Sequence, residues 1–115
     1  MTGQTSSVPS DEYAKQIATQ MRKGFLAYCV LKICSEAVYT SDVIERLRKA
    51  ELVVVEGTIY PLLSKLQKDG LLEHEWRESK HGAPRKYYNT TNYGKDVLNK
   101  VTGNIAALNN TLNKL

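Results

Sequence analysis

The residues best suited to chemistry are hydroxyls and cations set at helical spacing between positions 58 and 68. Thr58, Tyr60, Pro61, Ser64, Lys65 and Lys68 share the side of a helical wheel opposite Ile59, Leu62, Leu63 and Leu66, which recur at i, i+3, i+4 and i+7. A second group follows, in which Arg77, Lys80, Arg85 and Lys86 stand against the single acid Glu78, a local charge of +3, around the turn-forming Gly82 and Pro84. Hydroxyls, a helix N-terminus and long cations hold anionic oxygens, phosphate above all. A lysine can also reach a guanine edge, and an arginine on a projecting hairpin is long enough for the minor groove. Alone, the outer face of 58–68 reads equally well as a solvated surface; the basic group beside it is what favours an anionic partner.

Other chemistry finds no support. There is no Gly-rich phosphate loop, no Ser/His/Asp or Cys/His set, and the two histidines, His74 and His81, have no ligand spacing, so no catalytic residues and no cofactor are expected. Cys29 and Cys34 lie five positions apart, about 140° around a helix, and point to different faces; no metal site is expected from them. The 115 residues allow one domain, which buries roughly 65% of the unfolded surface. With 42% hydrophobic and 24% charged residues the composition is that of a globular chain, not a disordered or membrane one. No apolar stretch approaches the roughly 18 residues of a spanning helix. The opening "MTGQTSSVPSDEY" lacks the basic-then-apolar order of a secretory signal, so residues 1–12 are expected to be a flexible tail and the protein cytoplasmic. Sixteen Lys and Arg against twelve Asp and Glu give a net charge of +4, a mild bias that decides nothing alone.

The elements that must position these groups read as helix, helix, helix, hairpin, helix. Ile17, Met21, Phe25, Tyr28 and Ile33 mark a long first helix from Tyr13, mostly buried. After a break near 35–38, Thr40 or Ser41 can cap a second helix with Val43, Ile44 and Leu47 inside, ending by about Ala50. "LVVVEGT" places a small strand at Leu52–Val54, and Glu56 or Gly57 opens a third helix that Gly70 stops. Pro61 is tolerable there because it sits within the first turns. Leu71–Arg77 and Arg85–Thr90 are the strands of a hairpin, with Tyr87 and Tyr88 one inside and one outside and Trp76 a packing residue. The expected fold is mainly α with a small β-hairpin: a winged helix-turn-helix over 13–91, whose third helix enters the major groove and whose wing touches adjacent DNA, and a long C-terminal helix over 92–115.

That last helix carries Leu98, Val101, Ile105, Leu108, Leu112 and Leu115 at alternating spacings of three and four, a coiled-coil seam. Packing on its own first helix is the alternative, since the stretch is under three heptads and Gly103 in its interior costs about 1 kcal/mol. Burial against a second copy is preferred because the stripe is otherwise exposed.

"EGTIYPLLSKLQKDGLLEHEW" followed by "GAPRKYYNTTNYG" resembles the PadR family of bacterial transcription regulators, over about Gly24 to Leu98. The resemblance implies a dimeric repressor on a roughly palindromic operator, with the C-terminal helix making much of the dimer contact and a small-molecule effector as a further partner. It places Thr58, Tyr60, Pro61 and Lys65 at DNA-facing positions and Lys80, Gly82, Arg85 and Lys86 on the wing. Ser41, Ser64 and His81 complete the expected DNA-binding set. The chain departs from the family at Ser41-Asp42, where a Gly-Tyr pair is common, and at Thr90-Thr91-Asn92, where Leu-Thr-Glu is usual, although Thr91 can still cap the last helix. Drug-binding members stack flat ligands on an aromatic of the final helix; here that helix offers only Tyr93, at its start. A winged helix can also serve as a protein- or RNA-binding module, a reading that predicts no salt-sensitive affinity for duplex DNA.

Overall fold

The computed structural model describes residues 7–115. The elements run α1 (Ser10–Ile33), β1 (Val38–Tyr39), α2 (Thr40–Lys49), α3 (Glu56–Lys68), β2 (Leu72–Ser79), β3 (Gly82–Thr90) and α4 (Asn92–Lys114). This is a mainly helical winged helix-turn-helix with a long helix at each end. Residues 1–6 of the expected tail lie outside the described residues. Its end is corrected: α1 starts at Ser10, behind Pro9 and with Asp11 and Glu12 in the first turn, where acids suit the helix dipole.

One core joins all the elements but α4 directly. Leu26, Val30 and Leu31 of α1 with Cys34 just past its end, Val43, Ile44 and Leu47 of α2, and Ile59, Leu63 and Leu66 of α3 meet Val38, Leu72 and Tyr88 of the sheet. Val97 and Leu98 of α4 pack half-buried against it. The long first helix divides: its C-terminal half supplies core, while Tyr13, Ile17, Met21 and Phe25 stay exposed, against the expectation of a mostly buried helix.

The sheet has three antiparallel strands in the order β1-β3-β2. Val38 and Tyr39 pair with Tyr88 and Tyr87, and Leu72 through Arg77 pair with Thr90 through Arg85. The strand expected at Leu52–Val54 is not formed. α2 ends at 50–52 by donating the Glu51 and Leu52 N–H groups to the Arg48 and Leu47 carbonyls, and Val55 already precedes α3, so the β-branched run is a short link with no ladder partner. Tyr39, not Thr40 or Ser41, precedes α2, and no side chain caps it; Thr40 instead donates its hydroxyl to the Lys86 carbonyl at 3.0 Å.

Two adjacent threonines close three helix ends. Thr90 is buried, its hydroxyl donating to the Leu31 carbonyl at 2.8 Å and its N–H to Cys34 at 2.7 Å. Thr91 donates its hydroxyl to the Gly70 carbonyl at 2.7 Å and accepts the Gly94 N–H at 3.0 Å, the cap expected of it. Gly94 is buried where a Cβ would come within 2.3 Å of the Leu71 carbonyl oxygen, so α4 can start this close to the α3–β2 turn only with glycine there.

Candidate nucleic-acid interface

α3 runs for 13 residues with Ile59, Leu63 and Leu66 buried, which turns Thr58, Tyr60, Pro61, Ser64 and Lys65 to solvent together. Pro61 is the sixth helical residue, past the first turn; lacking an N–H, it leaves the Gly57 carbonyl without its helical donor on an exposed side. Lys65 pairs with Asp69 at 2.8 Å on the same face. The pair is solvated on both sides, so it restrains Lys65 weakly and a phosphate can displace the acid. At the far end, Gly70 takes the left-handed conformation (φ 84°) and Leu71 donates to the Leu66 carbonyl at 2.9 Å, which ends α3 and starts β2 within three residues.

The hairpin projects beside this face. His74 on β2 meets Gln67 of α3 at 2.9 Å, fixing the wing's base to the helix. On the strand face that continues the core, Leu72 and Tyr88 give way to His74, Trp76 and Lys86, with the Lys86 ammonium 5.1 Å from the Tyr88 ring and 6.0 Å from Trp76. Trp76 is 63% exposed, and its packing is with His74, edge-on at 6.4 Å. The other strand face carries an aromatic and guanidinium ladder: Tyr39 lies 5.8 Å from Tyr87, Arg85 sits 4.8 Å over Tyr39, and Arg77 sits 4.5 Å over Tyr87 while also bonding Glu75 at 2.6 Å. Stacked guanidiniums keep their charge and lose rotamer freedom. Lys80, His81 and Gly82 form the exposed tip.

Thr58, Tyr60, Pro61, Ser64 and Lys65 therefore share one helix face, and Lys80, His81, Gly82, Arg85 and Lys86 share the wing, with Arg85 and Lys86 on opposite strand faces. Ser41 is exposed at the head of α2. Two participants escaped sequence reasoning. Tyr39 holds Arg85 and Gln67 anchors the wing, and both contacts join residues remote or unremarkable in sequence.

Residues 30–100 match the transcriptional regulator PadR-like family. The chain belongs to that family. The chain resembles a PadR-like transcription factor from Bacteroides fragilis at 46% identity, over 86% of this chain and 97% of that one, with a TM-score of 0.74. It is also similar to a PadR family transcriptional regulator from Eggerthella lenta, at 31% identity over 90% of this chain and 92% of that one, TM-score 0.80. A PadR-like regulator from Bacillus cereus is 38% identical over 83% and 94%, TM-score 0.74. No curated protein matches the chain. Membership makes this PadR-family chain a transcriptional regulator that works on DNA. Among the described residues no helix is long and apolar enough to cross a membrane.

The seam residues fall into two sets. Leu98, Val101 and Ile105 are half-buried on their own chain, where Tyr28 of α1 meets Thr102 of α4 at 2.8 Å. Leu108, Leu112 and Leu115 are exposed. Between α1 and α4 lies a groove of about 700 Å³ lined by Met21, Phe25, Tyr28, Ile105, Leu108 and Leu112, among others.

Proposed function

We propose that two copies of this chain join through α1 and α4 and repress transcription by occupying a two-fold-symmetric operator, each α3 in a major groove and each wing on the adjoining backbone. The observation that carries the reading is the pairing of one basic, hydroxyl-bearing head with one long unpartnered apolar groove. Thr58, Tyr60 and the amino end of α3 hold phosphates, Lys65 exchanges Asp69 for phosphate or a base edge, and Lys80 and Arg85 extend the grip from the wing. Ser41, Ser64, His81, Gly82 and Lys86 lie along the same footprint. In the groove, the exposed Leu108, Leu112 and Leu115 of one copy cover Met21 and Phe25 of the other, so the C-terminal seam is completed by α1. A small molecule lodged between the copies would change the spacing of the heads and release the operator.

Duplexes selected from random DNA, measured by fluorescence anisotropy across roughly 50 to 200 mM salt, test the DNA footprint. A dimer making about six to ten phosphate contacts loses roughly 10³ to 10⁵ in affinity over that range. A flat response would return the fold to a protein- or RNA-binding role. For the effector, a screen of planar cations and aromatic acids that leaves operator affinity unchanged would make repression constitutive.

A further inference from the structure

Most of the exposed large apolar side chains lie on α1 and α4. Outside those two helices, the exposed aromatic residues among the described ones are Tyr60, on α3, and Trp76, on β2. The sequence makes Trp76 a packing residue, yet the indole stands in solvent with the His74 ring edge-on at 6.4 Å. Gln67, which meets His74 at 2.9 Å, lies two turns after Tyr60 and one turn after Ser64 on α3, so the Trp76 side of the wing adjoins the outward line of that helix. Lys86 stands opposite Trp76 on β3. Its stem is half-buried, which holds the ammonium between two rings, 5.1 Å from the centroid of Tyr88 and 6.0 Å from that of Trp76. Glu73 and Glu75 alternate onto the other side of β2, beside Asn89 and Tyr87, and Glu78 follows where the register shifts. None of the residues lining the α1–α4 groove comes from the wing, so the surface offered to a second copy is a separate one.

We infer that Trp76 lays its indole on a deoxyribose at the edge of the minor groove beside the half-site, with the Lys86 ammonium on a phosphate of the same strand. The inference rests on the DNA-binding reading above and adds to it a contact made by an apolar ring. A backbone sugar presents a C–H face between two anionic groups, and the wing presents an indole beside a cation, so the two patterns match. Covering the indole with carbon removes it from water, which is the source of the added affinity. Stacking on a base is the less favourable use of the same ring on a duplex, since the base step must first be unstacked. Sugars are alike at every base pair, so the contact fixes the position of the wing and adds affinity without reading sequence.

Trp76 is the one tryptophan of the chain, and its emission therefore reports on this contact alone. The test titrates the full chain with a selected operator duplex, a random duplex of equal length and single-stranded oligo-dT, following binding by anisotropy of labelled DNA and indole access by acrylamide, a neutral quencher that leaves ionic strength unchanged. Both duplexes are expected to shield Trp76 and shift its emission to the blue. Trp76→Ala is expected to weaken both duplexes by the same factor, about tenfold, with the melting temperature unchanged, and Trp76→Phe to recover about half of that loss on a logarithmic scale. Lys86→Gln is expected to lower the slope of log affinity against log salt by about one and to leave Trp76 shielded by duplex. Duplex binding with an indole that stays open to acrylamide, or a Trp76→Ala protein that binds as tightly as the native one, overturns the proposal and leaves the regulator reading standing. A loss confined to the operator would make Trp76 a base reader, and stronger shielding by oligo-dT would make it a stacking platform for single strands; either overturns the sugar contact. So does an indole already shielded without DNA, by a second copy if Leu112→Asp opens it and by its own chain if not. Absence of salt-sensitive duplex binding by anisotropy would sink both readings.

Discussion

Thr90 shows how much a single buried hydroxyl can hold. It is the one buried polar residue of the described chain, and its hydroxyl and N–H meet the last carbonyls of α1 from the end of the wing. Thr90→Val keeps the shape and leaves the Leu31 carbonyl with only the longer bond from the Ser35 hydroxyl at 3.2 Å, so urea unfolding is expected to show a loss of about 0.5 to 1.5 kcal/mol with the slope unchanged. Cys34 makes the complementary point about charge. Burial pushes its thiol from 9.0 up to about 12, with Arg46 opposing the shift. The folded pKa lies above the unfolded one, so stability is whole below pH 9 and falls as pH rises from 9 towards 12, by roughly 1.4 kcal/mol per unit from this group. Comparing native protein with Cys34→Ala over that window isolates it; parallel curves would show that the thiol ionises freely in the fold. At this scale the sequence revealed the outward set on α3, because Ile59, Leu63 and Leu66 define its opposite. It could not reveal that Tyr39 supports Arg85, since that contact depends on a two-strand pairing between remote segments.

The elements differ in legibility for a physical reason. Helices announce themselves through local spacing, and α2, α3 and α4 lie where the apolar repeats put them. A strand is defined by its neighbour: Val38–Tyr39 pairs with β3 and is β1, whereas Leu52–Val54, richer in β-branched residues, has no edge to join. Turn chemistry separates the two helix ends around that link. α2 and α3 close with the same pair of backbone bonds, but α3 has Gly70 at the left-handed position and α2 has Glu51, at φ 65°. A side chain there costs about 1 to 2 kcal/mol, against roughly 0.5 to 1 kcal/mol of unfolded-state entropy lost with glycine. Glu51→Gly is thus expected to stabilise by up to about 1 kcal/mol in thermal unfolding, and a lowered melting temperature would mean that the Glu51 side chain serves the fold in another way. Gly94→Ala is expected to do the opposite, displacing α4 from the Leu71 carbonyl.

The whole molecule is too long for its mass. A compact chain of 115 residues has a radius of gyration of about 13 Å, whereas this one has 18.0 Å and extends 68 Å along its major axis. The excess comes from the first half of α1 and the second half of α4, helices of 24 and 23 residues, or about 35 Å each. Periodicity identifies both stripes but cannot say whether the chain's own core covers them, and this is why the sequence makes α1 look internal while Tyr13, Ile17, Met21 and Phe25 stay exposed. Asp placed in the seam tests the assignment. Ile105→Asp sits at the centre of the groove but is half-buried on its own chain, so it confounds folding with association. Leu112 is 67% exposed, and Leu112→Asp leaves the folded chain's own contacts nearly untouched. Against a second copy, either carboxylate is desolvated beside apolar side chains at a cost of several kcal/mol. Sedimentation is expected to show both variants as monomers with helical circular dichroism preserved in Leu112→Asp. Each monomer keeps one head but not the paired grip on half-sites about one DNA turn apart, roughly 34 Å, so operator affinity should collapse while weak non-specific binding persists. A Leu112→Asp protein that stays dimeric would move the interface off the groove, and a monomer that grips the operator as tightly as the native protein would remove the need for a dimer.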